Sequence, residues 1–318
     1  METEITLCHL RQSQILRING PDAKKFLQGQ VTCDINLLDK KDPVFVPAPL
    51  GAHCTHKGRI LFSFRAIEIP PDNDTQTIAL SIPSDISDIA IAALKKYSVF
   101  SKVDIDTDKE TYQLFGINGK NAESTLRTLV GDQEAIPTEA NTALITSSTI
   151  IVCIAKDCYE LWLTTAQAQD FTERMSDNKI LDDEYWNEIK MKAGIADIHA
   201  NTSGMFTPHA INYHNIGNAV SFTKGCYTGQ EVVARMQYLG QLKRQLYLFV
   251  SKETMATQPA AGDSLYVKDK TQSIGEVAMV SHYHQNTYLL ASTVVEHAEK
   301  DRVFADSHYQ HALERVSG

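Results

Sequence analysis

Apolar positions follow two different rhythms along this chain, and the change comes near residue 240. Ile15 to Ile18 form an apolar strand-like piece that ends at Asn19-Gly20-Pro21-Asp22, and beyond that turn Ala23, Phe26 and Leu27 stand at helical spacing. The order there is strand, turn, helix. Strands are expected at 59–69 and 77–82, with Lys57-Gly58 as the turn before the first. Ser84 or Asp85 then opens a helix in which Ile86, Ile89, Ala90, Ala93, Leu94 and Tyr97 make one buried face. A second passage repeats this grammar: a strand at 112–117, a helix from Ala122 to Val130, strands at 143–146, 150–155 and 160–164, and a helix after Thr165. Strands interleaved with two helices predict split β-α-β units of ferredoxin-like type, so the class is α+β. The stretch 182–193 reads as a helix with Tyr185, Trp186 and Ile189 on its apolar side, closing the preceding unit.

After Gly240 the pattern shortens to β runs at 245–250, 264–267, 274–281 and 287–295, punctuated by Pro259, Gly262, Asp263 and Gly275. Short strands without a long helix predict a small antiparallel barrel or sandwich of about 75 residues. These breaks divide the chain into a first α+β domain (1–110), a second with the segment that follows it (111–240), and a C-terminal β-barrel (241–318). Part of 182–240 is expected to pack with the first domain.

Composition narrows the class. The 318 residues are 43% hydrophobic and 22% charged, which excludes wholesale disorder, collagen and coiled coil. Thirty basic against 39 acidic residues leave a net charge of −9, which opposes sequence-independent attraction to nucleic-acid phosphates or anionic lipid. Neither direct nucleic-acid binding nor a membrane partner is expected. The run from Ala143 to Ala155 is broken by Thr146, Ser147, Ser148 and Thr149, and the N-terminus lacks a basic segment leading into an apolar one. Six cysteines, none in a C-x-x-C pair, suit a soluble, reduced, cytoplasmic protein rather than a disulfide framework or zinc ribbon. No P-loop, G-x-G-x-x-G, H-E-x-x-H or G-x-S-x-G motif occurs, so nucleotide hydrolysis and dinucleotide redox lose their usual support.

The densest chemistry lies in 222–240. Thr228-x-x-Glu231 has capping-box spacing, which starts a helix there, and Gly240 is a natural stop. Glu231 and Arg235 stand at i, i+4 in the favourable order for an ion pair. Cys226 then falls just ahead of a helix N-terminus, beside Gly225 and two residues after Lys224, where dipole and ammonium both favour thiolate. On local physics alone it is either a reactive thiol or a small buried hydrophobe at a tight turn. Lys224 and Arg235 read equally well as solvated charges. Elsewhere, His53, Cys54 and His56 lie close together without a second cluster at zinc spacing, so no metal is assigned. His282-x-His284 and Cys153-x4-Cys158 read as surface histidines and packing cysteines, with a redox pair as the alternative for the latter.

The run Lys224-Gly-Cys-Tyr-Thr-Gly-Gln-Glu231, followed by Val-Val-Ala-Arg235, resembles the signature of the YgfZ family, relatives of the glycine-cleavage T-protein (aminomethyltransferase) that bind tetrahydrofolate. The resemblance extends through 19–23, 26–32, 57–60, 193–195, 203–208 and 221–222, and so covers essentially the whole chain. It implies two α+β domains and a C-terminal β-barrel in a ring-like arrangement, with a folate-sized channel near the centre. It further implies an accessory factor for iron–sulfur cluster assembly or repair, serving cluster-dependent enzymes such as those that methylthiolate tRNA. The implied partners are iron–sulfur assembly proteins or cluster-containing client enzymes. The functional thiol maps onto Cys226, and the motif onto Lys224, Gly225, Tyr227, Gly229, Gln230, Glu231 and Arg235. Tetrahydrofolate contacts are expected at Gln28, Gln30, Lys192 and Arg235. One position departs from the pattern: Lys192 stands where the family has a glutamate suited to a pterin's N–H donors, and a lysine donates only. Folate-dependent aminomethyl transfer, and a folate-binding scaffold without thiol chemistry, are the alternative functions.

Overall fold

The computed structural model describes residues 5–39, 44–70, 75–108, 110–131, 133–176, 178–239, 242–253, 255, 257–268, 270, 272–283 and 286–316. In chain order the elements are β1 (Thr6–His9), β2 (Ser13–Asn19), α1 (Ala23–Gln28), β3 (Val46–Pro47), β4 (Leu50–Cys54), β5 (Ile60–Ile69), β6 (Thr77–Pro83), α2 (Ser87–Lys95) and β7 (Asp104–Asp108). Next come β8 (Tyr112–Asn118), α3 (Ala122–Val130), β9 (Thr142–Ile145), β10 (Thr149–Ala155), β11 (Cys158–Thr164), α4 (Thr165–Arg174), β12 (Ile180–Leu181) and α5 (Asp183–Lys192). The remainder is α6 (Gln230–Leu239), β13 (Arg244–Ser251), β14 (Ser264–Val267), β15 (Gly275–Tyr283), β16 (Asn286–Val294), α7 (Val295–Lys300), β17 (Val303–Phe304) and β18 (Ala312–Arg315).

The first sheet runs β4-β5-β6-β2-β7, all antiparallel. Alternation along β2 separates its two faces: Leu16 and Ile18 pack with Phe26, Leu27 and Leu94 under α1 and α2, whereas Ile15 points the other way. On that other face Ile15, Ile67 and Ala79 meet Trp162, Val152 and Trp186, so the two sheets share a core. The second sheet runs β12-β1-β8-β11-β10-β9-β3, parallel only between β1 and β12. Its outer face is covered by α3 and α4 through Ala122, Leu126, Ala168 and Phe171. Two strands from the first fifty residues, β1 and β3, pair in this second sheet rather than the first.

The C-terminal strands close into a barrel, β13-β16-β15-β14-β17-β18, around Phe249, Leu265, Val277, Leu289 and Leu313. Residues between α5 and α6 are mostly irregular, and their large apolar side chains are buried. Phe206, Ile211, Tyr213 and Val220 fill the space between Leu50 and Ile60 of the first sheet and Leu246, Met279 and Leu290 of the barrel. Helix α5 bridges the second sheet and the barrel instead of only closing the former: Ser281 Oγ donates to the Glu184 carbonyl at 2.8 Å, and the His282 N–H to the Glu184 carboxylate at 2.9 Å.

Tyr97 does not extend the buried face of α2. The helix ends at Lys95 and the ring is 42% exposed, because the chain has already turned when it reaches that position. Gly240, the expected stop of α6, lies outside the described residues. Among those residues, no helix is long and apolar enough to cross a membrane.

Candidate functional site

The segment around Cys226 is fastened to residues 31–33, which follow α1 and bridge to β4 at Val31 and His53. Lys224 turns inward, 9% exposed, and its Nζ donates to the carbonyls of Val31 at 2.8 Å and Cys33 at 2.7 Å. Burial brings its pKa down to about 8, against the opposing pull of Cys33 and Asp34. The lysine is therefore not a solvated charge, and its donors serve carbonyls. The buried ring of Tyr227 lies 5.3 Å from the same ammonium. Thr32 ties the next stretch: its hydroxyl donates to the Ala219 carbonyl at 2.7 Å, and its carbonyl accepts the Ser221 N–H at 2.8 Å.

Gly229 sets the approach of α6. Its φ is +85°, and a Cβ there would run into the Thr55 carbonyl oxygen, so a left-handed turn without a side chain brings the helix onto the 55–58 turn. Helix α6 begins at Gln230, and the expected capping box is not formed: the Thr228 hydroxyl donates to Gln30 Oε1 at 3.3 Å instead. Glu231 and Arg235 are both exposed, and no ion pair joins them among the described residues. Gln230 Nε2 reaches back to the Gly225 carbonyl at 3.5 Å.

Between these fastenings Cys226 is exposed, while the other five cysteines are buried, and none of the six is in a disulfide. Burial pushes the thiols of Cys8, Cys33 and Cys54 up to about 12 and that of Cys153 to about 11, which keeps them protonated. The turn thus presents the one exposed thiol among the six cysteines.

His53 lies buried in β4 with Nδ1 2.8 Å from the Gln30 carbonyl, and among the described residues no group of three or more His, Cys, Asp and Glu is placed to hold a metal. His282 Nδ1 sits 3.3 Å from the Thr287 hydroxyl, while His284 lies outside the described residues.

No protein-family model matches the chain. Curated relatives do. A tRNA-modifying protein YgfZ of Photorhabdus laumondii is 32% identical over 293 residues, 90% of this chain and 83% of its own. That of Colwellia psychrerythraea is 31% identical over 285 residues, 88% and 82% of the two chains. That of Yersinia pseudotuberculosis is 34% identical over 263 residues, 82% and 75%. The chain belongs to the YgfZ family. Among solved structures it resembles the glycine cleavage system aminomethyltransferase T of Bartonella henselae, with a TM-score of 0.72, covering 100% of this chain and 86% of that one. At 16% identity this likeness is one of fold.

The run from Lys224 to Arg235 carries one exposed thiol, and the four residues expected to contact tetrahydrofolate are spread over the end of α1 and the loop after it, α5 and α6. Gln28 is occupied within its own loop, donating to Asp34 at 2.8 Å and accepting the Ile35 N–H at 2.8 Å. Gln30 takes the Thr228 hydroxyl. Lys192 lies on α5, 2.6 Å from Glu188 and 4.8 Å from the centre of the Tyr288 ring. Its pKa is raised, since the bond to Glu188 outweighs the burial that acts the other way. Arg235 is exposed on α6. A cavity of about 820 Å³ lies along α6, walled by Met236, Phe206, Arg59 and Arg244, and none of the four lines it or any other described cavity.

Sequence reasoning passed over Glu188 and Thr32. The spacing of Glu188 and Lys192, i, i+4 in the favourable order, was the available signal for the first. Thr32 carries no local signal, since its role arises only through tertiary contact.

Proposed function

We propose that this chain is an accessory factor that sustains iron–sulfur enzymes, among them those that methylthiolate tRNA, with Cys226 offering its sulfur to a client or assembly protein. The observation that carries the reading is the accessible Cys226 thiol set on a turn fastened at Lys224 and Gly229, while every other thiol is buried. Family membership supports the setting, because the relatives are tRNA-modifying proteins. A cytoplasmic location and indirect action on tRNA through a protein partner accord with six free cysteines and a net charge of −9. Tetrahydrofolate is the ligand that the family resemblance suggests. Aminomethyl transfer is the less favoured reading, since Lys192 stands where the family resemblance expects a glutamate suited to a pterin.

The test is complementation. In a strain lacking the gene, tRNA methylthiolation and other cluster-dependent activities fall, the wild-type gene restores them, and Cys226→Ala does not. Full rescue by Cys226→Ala overturns the thiol role.

A further inference from the structure

Six large apolar side chains stand exposed among the described residues, and three of them fall within four residues of one loop: Tyr97 at 42%, Val99 at 77% and Phe100 at 100%. Single exposed apolar residues are ordinary on a protein surface, whereas a run of them marks a contact surface. The loop follows α2, whose buried side ends at Leu94, so its side chains lie beyond the core. It is nevertheless held in shape. The Ser98 N–H donates to the Lys95 carbonyl at 3.3 Å, the Ser101 N–H to the Ser98 carbonyl at 2.9 Å, and the Lys102 N–H to the Asp22 carboxylate at 2.8 Å. A loop bonded in this way presents its apolar side chains in a fixed arrangement, and little ordering remains to be done when something covers them.

Charge narrows what covers them. Residues 95–102 contain three lysines, Lys95, Lys96 and Lys102, all exposed, and no acidic residue, in a chain whose net charge is −9. An acidic partner surface complements this patch. A second copy docked through the same loop would bring lysines against lysines, since a two-fold contact pairs a patch with itself. A single-stranded nucleic acid fits poorly as well: bases stack on flat rings, and Val99 offers none. A protein with an apolar pocket rimmed by acidic residues fits both features.

Position narrows it further. The Tyr97 ring lies 6.1 Å from that of His53, His53 Nδ1 is 2.8 Å from the Gln30 carbonyl, and Gln30 Oε1 takes the hydroxyl of Thr228, two residues past Cys226. Gln30 thus joins the neighbourhood of the loop to the turn that carries the thiol. A protein interface ordinarily covers roughly 800 Å² of each partner, or about 20–30 residues, which is enough to span both.

We propose that the loop 97–100 is the docking surface for the protein that uses the Cys226 sulfur, with Val99 and Phe100 entering its apolar pocket and Lys95, Lys96 and Lys102 facing acidic residues at the rim. This rests on the reading of Cys226 as a sulfur offered to a client or assembly protein, and adds the surface that holds that protein in place.

Two double variants of the full chain test it, Val99→Ser with Phe100→Ser and Lys95→Glu with Lys96→Glu. Both are expected to unfold at the wild-type temperature and to take one maleimide at Cys226, yet to restore tRNA methylthiolation less than half as well as wild type in the strain lacking the gene. Val316→Ser, exposed on the barrel, restores it fully. With a purified tRNA methylthiotransferase as the binding probe, each double variant raises Kd about tenfold or more, whereas Cys226→Ala binds as wild type does. Salt weakens the wild-type complex, and weakens that of the lysine variant less. Full rescue by both double variants, or a probe that binds wild type and both variants alike or not at all, overturns the docking surface and leaves the Cys226 reading standing. Rescue by Cys226→Ala but not by the double variants removes the thiol role and keeps the surface. Binding of tRNA that the double variants abolish, or a dimer that they split, overturns the protein partner.

Discussion

Lys224 and Cys33 meet across 191 residues of sequence, the ammonium donating to the cysteine's carbonyl oxygen at 2.7 Å. That bond, with its companion to Val31, ties the turn carrying Cys226 to the segment that bridges to β4. Removing the donor leaves two buried carbonyls without a partner, at roughly 1–3 kcal/mol each. Lys224→Met is therefore expected to lower unfolding free energy by about 2–4 kcal/mol, measured by denaturant titration.

The same lysine gives a pH signature. Its folded pKa is about 8, below the ordinary lysine value of 10.5. Between those values the unfolded chain holds the proton and the folded one does not, so folding stability contributed by this group rises with pH across that window and is flat below it. The stability gap between wild type and Lys224→Met is thus expected to be wider at pH 10 than at pH 7. A gap that narrows with rising pH contradicts the burial assigned to this ammonium.

Two glycines of the signature should behave in opposite ways. Gly229 has φ +85° and no room for a Cβ beside the Thr55 carbonyl, whereas a Cβ on Gly225 meets nothing within 4 Å. Gly229→Ala is expected to destabilise by about 2 kcal/mol or more, through both backbone strain and collision. Gly225→Ala should stay within about 0.5 kcal/mol of wild type, as surface substitutions usually do. Thermal unfolding of the pair decides it.

Thiol accessibility separates Cys226 from the rest. Under native conditions a maleimide should add once per chain, and Cys226→Ala should take up none, as read by intact mass. Five buried thiols, four of them pushed to between about 11 and 12 by burial, lack both access and thiolate. Two or more additions to the folded protein contradict this arrangement.

Glu231 and Arg235 provide a contrasting prediction. Both are exposed and unpaired with one another, so a double-mutant cycle on their alanine variants should give a coupling below about 0.3 kcal/mol. Complementation by each single variant then reads whether either residue serves the function.

Much of the architecture was legible because its elements repeat a period. β2 shows alternation, α2 a helical stripe up to Leu94, and the barrel strands short runs between turn residues. What escaped reading has no period to detect. Leu50–Cys54 is buried at every position, so no alternation marks it as a strand, and β1 is only four residues long. The buried segment between α5 and α6 holds its shape through tertiary contacts such as Thr32 to Ala219, which no local pattern encodes. At the site, the thiol and its turn were visible as a run of residues. The direction of the Lys224 side chain was not, since its acceptors lie in another part of the chain. Glu188 reads locally as a solvated helix charge and becomes a buried acceptor only where the barrel covers α5.

The placement of β1 sets an order on synthesis. The ribosome delivers Thr6–His9 ahead of every strand of the first sheet, yet their partners, 115–118 and 180–181, emerge far later. The strands of the first sheet are complete by Asp108, so this sheet can be assembled while the N-terminal strand still waits beside it unpaired. A segment that must remain available for so long is exposed to proteases and to pairing with the wrong edge. The acidic residues Glu2 and Glu4 immediately before it supply charge that discourages both association and aggregation in that interval.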